Sequence, residues 1–371
     1  SLLPIAPRTV RHLAACLLLP AALALAPALR AAPGFPSTNV AWQAAAVDAD
    51  VERLFAQARA EKRPLLLYWG ATWCPPCNQL KATFFNRQDF AAVMRNVVAV
   101  HVDGDRPGAQ KLGARFKVRG YPTVILMSPD GAEITRLPGE ADAPQIMAAL
   151  QAALAGGRPV KAVLADARAG KPLSANEWRL LAFYGWETDE SQLVPEAERA
   201  ALLAELASRA PAGDGETSMR LWLKAAAASD DGKGLKPDAA LRARVQRVLA
   251  DPALARTHMD VLVYGADDMV KLLSDEESPE RTALSAQFDA ALARLQADTS
   301  LSRGDRVSAL TARVNVARIG TPKATLVPRL PEALLREVRD TAARLDREIT
   351  DGYERQSVIT STAYLLGQAG L

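Results

Sequence analysis

Residues 64 to 85 read PLLLYWGATWCPPCNQLKATFF. The opening apolar run does not alternate, so it reads as a strand buried on both faces rather than one half open to water. A Cys-x-x-Cys pair follows and opens a helix in which Leu80 and Phe84 stand one turn apart. Prolines at 75 and 76 suit that helix start, because N–H groups of a first turn have no partner within the helix. A buried strand feeding a helix through so short a connection belongs to a layered α/β unit.

The flanking sequence completes the unit. Val51, Leu54, Phe55 and Ala58 fall on one face of a helix within DADVERLFAQARAEKR. A short helix at DFAAVMRN precedes a second buried strand at VVAVHVD, and GAQKLGARFKV is helical again. PTVILMS and AEITRLP are strands joined by SPDG, a tight-turn signal, and a further strand is expected near NVAWQ. The helix APQIMAALQAALAGG closes the unit at Gly156-Gly157, where a helix C-cap belongs. These elements predict a mixed sheet with helices on both faces.

Past Gly157 the strand signals fade and amphipathic stretches follow one another, from SANEWRLLAFYGW to PEALLREVRDTAARLDREI. Ser174 with Glu177 forms a capping box, and Ser278 precedes Pro279 at a first-turn position. GTPKATLVPRLP, residues 320 to 331, reads as a break between helices. The helix-turn-helix rhythm suggests a tetratricopeptide (TPR)-like array, although no fixed period is present. A chain ending at Gly157 would retain its own core on this reading, with the helical region choosing the partner of the cysteines.

At 371 residues the chain has room for two or three domains. Its 49% hydrophobic and 23% charged residues describe a globular protein, neither disordered nor multiply membrane-spanning. A net charge of +3 without a basic stripe argues against a nucleic-acid partner. Near the start, Arg8 and Arg11 precede an apolar run from Leu13 to about Leu29 and then small residues, the order of a secretory signal. An uncleaved anchor is the weaker reading, since Pro20 and Pro27 interrupt a run near the lower length limit for spanning. Cys16 precedes the apolar run rather than following it, so it is not read as a lipoprotein cysteine. Export would leave Cys74 and Cys77 as the only thiols, in a compartment where disulfides form.

A Cys-x-x-Cys pair has three common uses. Zinc needs four ligands, and here only His101 and His258 remain, far apart in sequence. A structural disulfide across two residues closes so small a loop that it stabilises little. Redox exchange accounts best for a pair at a helix start. Cys74 falls at the N-cap, where the helix dipole and free N–H groups can lower a thiol pKa from about 8.5 to roughly 3.5–7.5. Pro75 and Pro76 carry no N–H, so the Cys77 amide is the nearest donor to the Cys74 sulfur. Cys74 is expected to attack and Cys77 to resolve.

WCPPC after PLLLYWGAT, then VVAVHVDGD and VRGYPTVILMSPDGAEITRLPG, resembles the thioredoxin superfamily. Within it the match is closest to secreted domains such as the C-terminal domain of membrane thiol-reductant transporters, over roughly residues 40 to 155. The resemblance implies a cis Tyr121–Pro122 bond facing the cysteines, with substrate backbone pairing beside it. It makes Trp73, Tyr121 and Pro122 substrate-binding candidates, with Trp73 an apolar rim beside the sulfur. One departure stands out: family members often bury an aspartate six residues before the first cysteine, where this chain has Tyr68. The proton acceptor for Cys77 is thereby left open. Asp103, at a strand end, is a candidate that also reads as a solvated turn carboxylate, and His101 reads as structural.

The expected organisation is a signal peptide over 1–31, a linker over 32–41, an α/β thioredoxin-like domain over 42–157 and an all-α, TPR-like region over 158–371. The expected function is a periplasmic or secreted thiol–disulfide oxidoreductase, leaning towards reduction by its resemblance to the transporter domains. Its partners would be protein disulfides, an upstream thiol donor or acceptor protein, and a protein docked on the helices; no cofactor or metal is expected. The alternative is a binding protein whose helices engage a partner while the cysteines turn over little.

Overall fold

A computed structural model describes residues 36–37, 39–139, 141–189, 192–211, 213, 215–229, 234–319 and 330–371. The expected signal peptide and most of the segment 320–331 lie outside these residues. Among the described residues the sheet has five strands: β1 (Gln43–Ala45), β2 (Leu65–Gly70), β3 (Val98–Asp103), β4 (Thr123–Met127) and β5 (Glu133–Leu137), in the order β1-β3-β2-β4-β5. β1, β3 and β2 run parallel, while β4 and β5 are antiparallel to their neighbours. The first strand lies at the end of NVAWQ and runs two residues beyond it. The expected SPDG turn is present: Gly131 takes φ 88° and its N–H reaches the Ser128 carbonyl.

β2 shows why its sequence does not alternate. Leu65, Leu67 and Trp69 pack on one face, against Val51, Leu54, Phe55 and Ala58 of α1 (Asp48–Glu61). Leu66 and Tyr68 pack on the other, against Phe84, Phe85 and Phe90. Period-two side chains therefore meet two separate cores, and both must be apolar. Trp42 joins the second core, and its indole N–H bonds Ser37 in the expected linker.

That second core does not stop at Gly157. It runs through α5 (Ala143–Gly156) into α6 (Val160–Arg168), α7 (Ala175–Ala182), α8 (Arg199–Arg209) and α9 (Gly215–Ala227), taking in Val163, Trp178, Tyr184, Trp186 and Leu203. Arg136 on β5 is fully buried and donates to the carbonyls of Phe116, Lys117 and Thr188, the last across the expected boundary. Helices α10 (Ala239–Ala250), α11 (Pro252–Thr257), α12 (Met259–Leu273) and α13 (Pro279–Ala297) build a third apolar cluster. α14 (Arg303–Ala317), α15 (Glu332–Glu348) and α16 (Gly352–Gln368) share a fourth. These helices range from 6 to 19 residues, as the lack of a fixed sequence period foretold. Among the described residues no helix is long and apolar enough to cross a membrane.

Among the described residues two histidines are buried. Neither ring nitrogen of His258 has a hydrogen-bond partner; burial first, then the charge of Arg220, pushes its pKa down to about 4 against the pull of Asp260. His101 is also pushed down to about 4, by burial and then Lys81, with Asp103 opposing. As pH falls below the ordinary 6.5, the unfolded chain gains protons that the folded chain refuses. Stability is thus complete above about pH 6.5 and declines towards pH 4, by at most roughly 3 kcal/mol per histidine. The thermal midpoint should drop between pH 7 and 5, and drop less in His258→Leu. Equal drops in the two proteins would contradict this assignment.

Candidate active site

Cys74 and Cys77 form a disulfide with Cα atoms 5.2 Å apart. Cys74 is the N-cap of α2 (Pro75–Leu80), which continues without a break through a π-helical turn at Lys81–Phe85. With Pro75 and Pro76 donating nothing, the Cys77 N–H points at the Cys74 sulfur, 3.2 Å away. This is the donor the sequence singled out. Cys77 is fully buried, whereas Cys74 keeps 3% of its surface open.

The other named residues gather at the same end of the sheet. Trp73 stands in solvent with its indole N–H on Asp105, and so lies at the rim rather than in the core. Tyr121–Pro122 is a cis peptide, and the Tyr121 ring packs against Ala71 and the two cysteines. Gly104 leaves room for that ring, because a Cβ there would lie 2.4 Å from it. Asp103 caps a turn, accepting the Asp105 amide and pairing with Arg106 at 3.6 Å. His101 stacks on Tyr68 with ring centroids 5.2 Å apart. Tyr68 itself is held protonated: burial, then Tyr353 and Asp103, raises its pKa far above the ordinary value.

Several residues at the site carried no sequence signal. Lys81, one helical turn beyond Cys77, is 2% exposed. Its amine sits 3.4 Å from the Asn78 side-chain oxygen and 5.2 Å from the centre of the Tyr353 ring. Burial lowers its pKa, and Asp103 partly restores it. Gln79 donates to Ser302 at 2.8 Å and Asp305 at 3.2 Å on α14, and Gln356 of α16 donates to the Thr72 carbonyl at 2.7 Å. Gly304 permits this approach, since a Cβ there would fall on the Gln79 side chain. The last helices thus fold back onto the helix that carries the cysteines. Contacts across more than 220 residues leave no local pattern in the sequence. Among the described residues no group of three or more His, Cys, Asp or Glu side chains could hold a metal ion.

Comparison with known proteins matches residues 51–154 to the family described as a thioredoxin-like domain. The chain is 32% identical over 131 residues to the thiol:disulfide interchange protein DsbD 2 of Pseudomonas aeruginosa, covering 34% of this chain and 22% of that protein. It is 32% identical over 84 residues to thioredoxin H5 of Arabidopsis thaliana, covering 23% of this chain and 66% of that one. A thioredoxin structure from Thermus thermophilus aligns at 24% identity with a TM-score of 0.27, over 30% of this chain and 85% of the other. The chain therefore spans about a fifth of the length of the DsbD relative. Family match, sheet order and disulfide position agree: the α/β part of this chain is a thioredoxin-like domain of the thioredoxin superfamily, followed by an all-helical region.

Proposed function

We propose that the chain is an exported thiol–disulfide oxidoreductase that reduces protein disulfides through Cys74 and Cys77. The observation that carries this reading is the Cys74–Cys77 disulfide at the start of α2, with the Cys77 amide aimed at the Cys74 sulfur. In the reduced protein the Cys74 thiolate attacks one sulfur of a substrate disulfide and displaces the other as a thiolate. The resulting mixed disulfide is then attacked at the Cys74 sulfur by Cys77. That step closes the disulfide seen here and releases the second substrate thiol, so two electrons and two protons pass to the substrate. A dithiol donor protein restores the reduced pair. The helix start and the Cys77 N–H favour negative charge on Cys74 both when it attacks and when it leaves.

The reducing direction draws on similarity to thiol:disulfide interchange proteins, and export on the pattern of residues 1–31. Trp73, Tyr121 and Pro122 form the rim on which substrate backbone would lie. The helices would supply a docking surface for a partner protein. An insulin-reduction assay with a chemical dithiol as donor tests the activity. Turnover that requires Cys74 supports it; an inert pair that still resides on a copurifying partner favours the binding-protein reading.

Lys81 bears on the second step. Residues i and i+4 of a helix share a face, which sets buried Lys81 on the same side of the helix as Cys77. A cation there stabilises the Cys77 thiolate needed for resolution. Lys81→Met should slow release of the mixed disulfide several-fold at pH 7 and move its pH dependence upward, while Lys81→Arg retains most of the rate. Identical pH profiles for Lys81→Met and the unaltered protein would rule this role out.

A further inference from the structure

A cleft of about 820 Å³ opens beside the disulfide. Pro76, Tyr121 and Pro122 form its thioredoxin-side wall, and Arg199, Lys224 and Tyr264 belong to the helical wall opposite. Four carboxylates also line it, and each has a cationic partner. Glu187 accepts from Lys224 at 2.8 Å, Glu196 pairs with Arg119 at 2.9 Å, and Asp268 lies 3.7 Å from Lys271. Asp260 takes both arms of the fully buried Arg220. Arg199 differs. It is 8% exposed, begins α8, and its side chain makes no hydrogen bond or ion pair among the described residues. None of its nitrogens is a buried atom lacking a partner, so the guanidinium opens into the cleft, where a carboxylate of a ligand can reach it. Among the described residues Arg199 is therefore the one cation of the lining without a carboxylate partner.

We infer that Arg199 receives a carboxylate from the substrate, and that the cleft takes an acidic peptide segment adjoining the substrate's reactive cysteine. The inference rests on the oxidoreductase reading above. A peptide fits because the cavity is continuous from the Pro76 and Tyr121–Pro122 rim to α8, so one extended segment can place sulfur at Cys74 and a side chain at Arg199. Its volume lies within the usual range for ligand clefts, about 300–1,000 Å³. Arginine is also the cation best shaped to grip a carboxylate through two parallel hydrogen bonds. Lys224 is already held by Glu187 and is not counted as a second anchor.

The test uses the full chain and disulfide-linked peptides identical except for Glu, Gln or Lys near the cysteine. Exchange rates are measured alongside hydroxyethyl disulfide, which is neutral, and glutathione disulfide, which is small and anionic. The Glu peptide should exchange about tenfold faster than the Gln peptide at low salt, with the Lys peptide slowest. In Arg199→Gln the Glu-to-Gln ratio should fall towards one, and Arg199→Lys should keep part of it. If Arg199→Gln does not fold, the Arg199→Lys ratio and the salt dependence of the unaltered protein carry the comparison. A ratio of one in the unaltered protein, or a ratio untouched by substitution, overturns the inference while leaving the oxidoreductase reading standing. Failure to exchange with any of these disulfides overturns both. If glutathione disulfide gains as much from Arg199 as the Glu peptide does, the assignment to a peptide is wrong.

Discussion

Cys74→Ser is expected to lower disulfide exchange by at least about 10³-fold, to the uncatalysed level, because it removes the attacking atom. Cys77→Ser should behave differently: it keeps the attacker and loses the resolver, so mixed disulfides between Cys74 and substrate should accumulate. The asymmetry follows from the local structure. Cys74 is the N-cap and receives the Cys77 N–H, whereas Cys77 lies three residues, nearly one turn, deeper with no open surface. Alkylation of the reduced protein at neutral pH, read by mass spectrometry, should mark Cys74 first. Preferential labelling of Cys77, or mixed disulfides trapped only by Cys74→Ser, would reverse the roles.

Cutting the chain after Gly157 is expected to destroy cooperative folding of the remaining part. The sequence suggests a self-sufficient domain ending there, but the packing points the other way. α6 lies on β5 and α7 on α5, so truncation uncovers apolar groups such as Ile134, Leu137, Leu150 and Ala153. Each large side chain fully exposed costs roughly 1.5–3 kcal/mol, and a few of them rival the 5–15 kcal/mol that holds a typical domain together. Arg136 would also lose the Thr188 carbonyl, and Glu133 the Tyr184 hydroxyl. On the far side, Thr72 would lose Gln356, Lys81 would lose Tyr353, and Gln79 would lose its partners Ser302 and Asp305. Circular dichroism melts of residues 36–157 should show a broad or absent transition. A sharp transition near that of the full chain would show that the two parts are energetically independent.

These two expectations mark where the sequence was legible. The sheet could be read because its strands are buried on both faces: Leu65 to Trp69 is apolar whichever core a residue meets. The cysteine site could be read because its logic is local, with N-cap, prolines and donor lying within four residues. The helices were legible as helices, through their caps and apolar faces, but not their arrangement. Whether Trp178 and Tyr184 cover the sheet or another helix depends on tertiary contacts that periodicity does not encode. The same holds for Gln79 and Gln356, polar residues of no motif whose partners lie 223 and 284 positions away. Lys81 and Arg199 are harder still. Surface lysines and arginines are the commonest kind, and only burial distinguishes these two.

The reduction potential of the Cys74–Cys77 pair tests the central claim most directly. Equilibrating the protein with dithiol/disulfide buffers and counting free thiols by alkylation yields the midpoint without any need to know the substrate. A pair that cycles in exchange should titrate within the range of thioredoxin-like oxidoreductases, about −270 to −120 mV, and a reductant should lie towards the negative end. A midpoint below about −300 mV, where structural disulfides resist reduction, would make the bond a fixed staple and contradict the account.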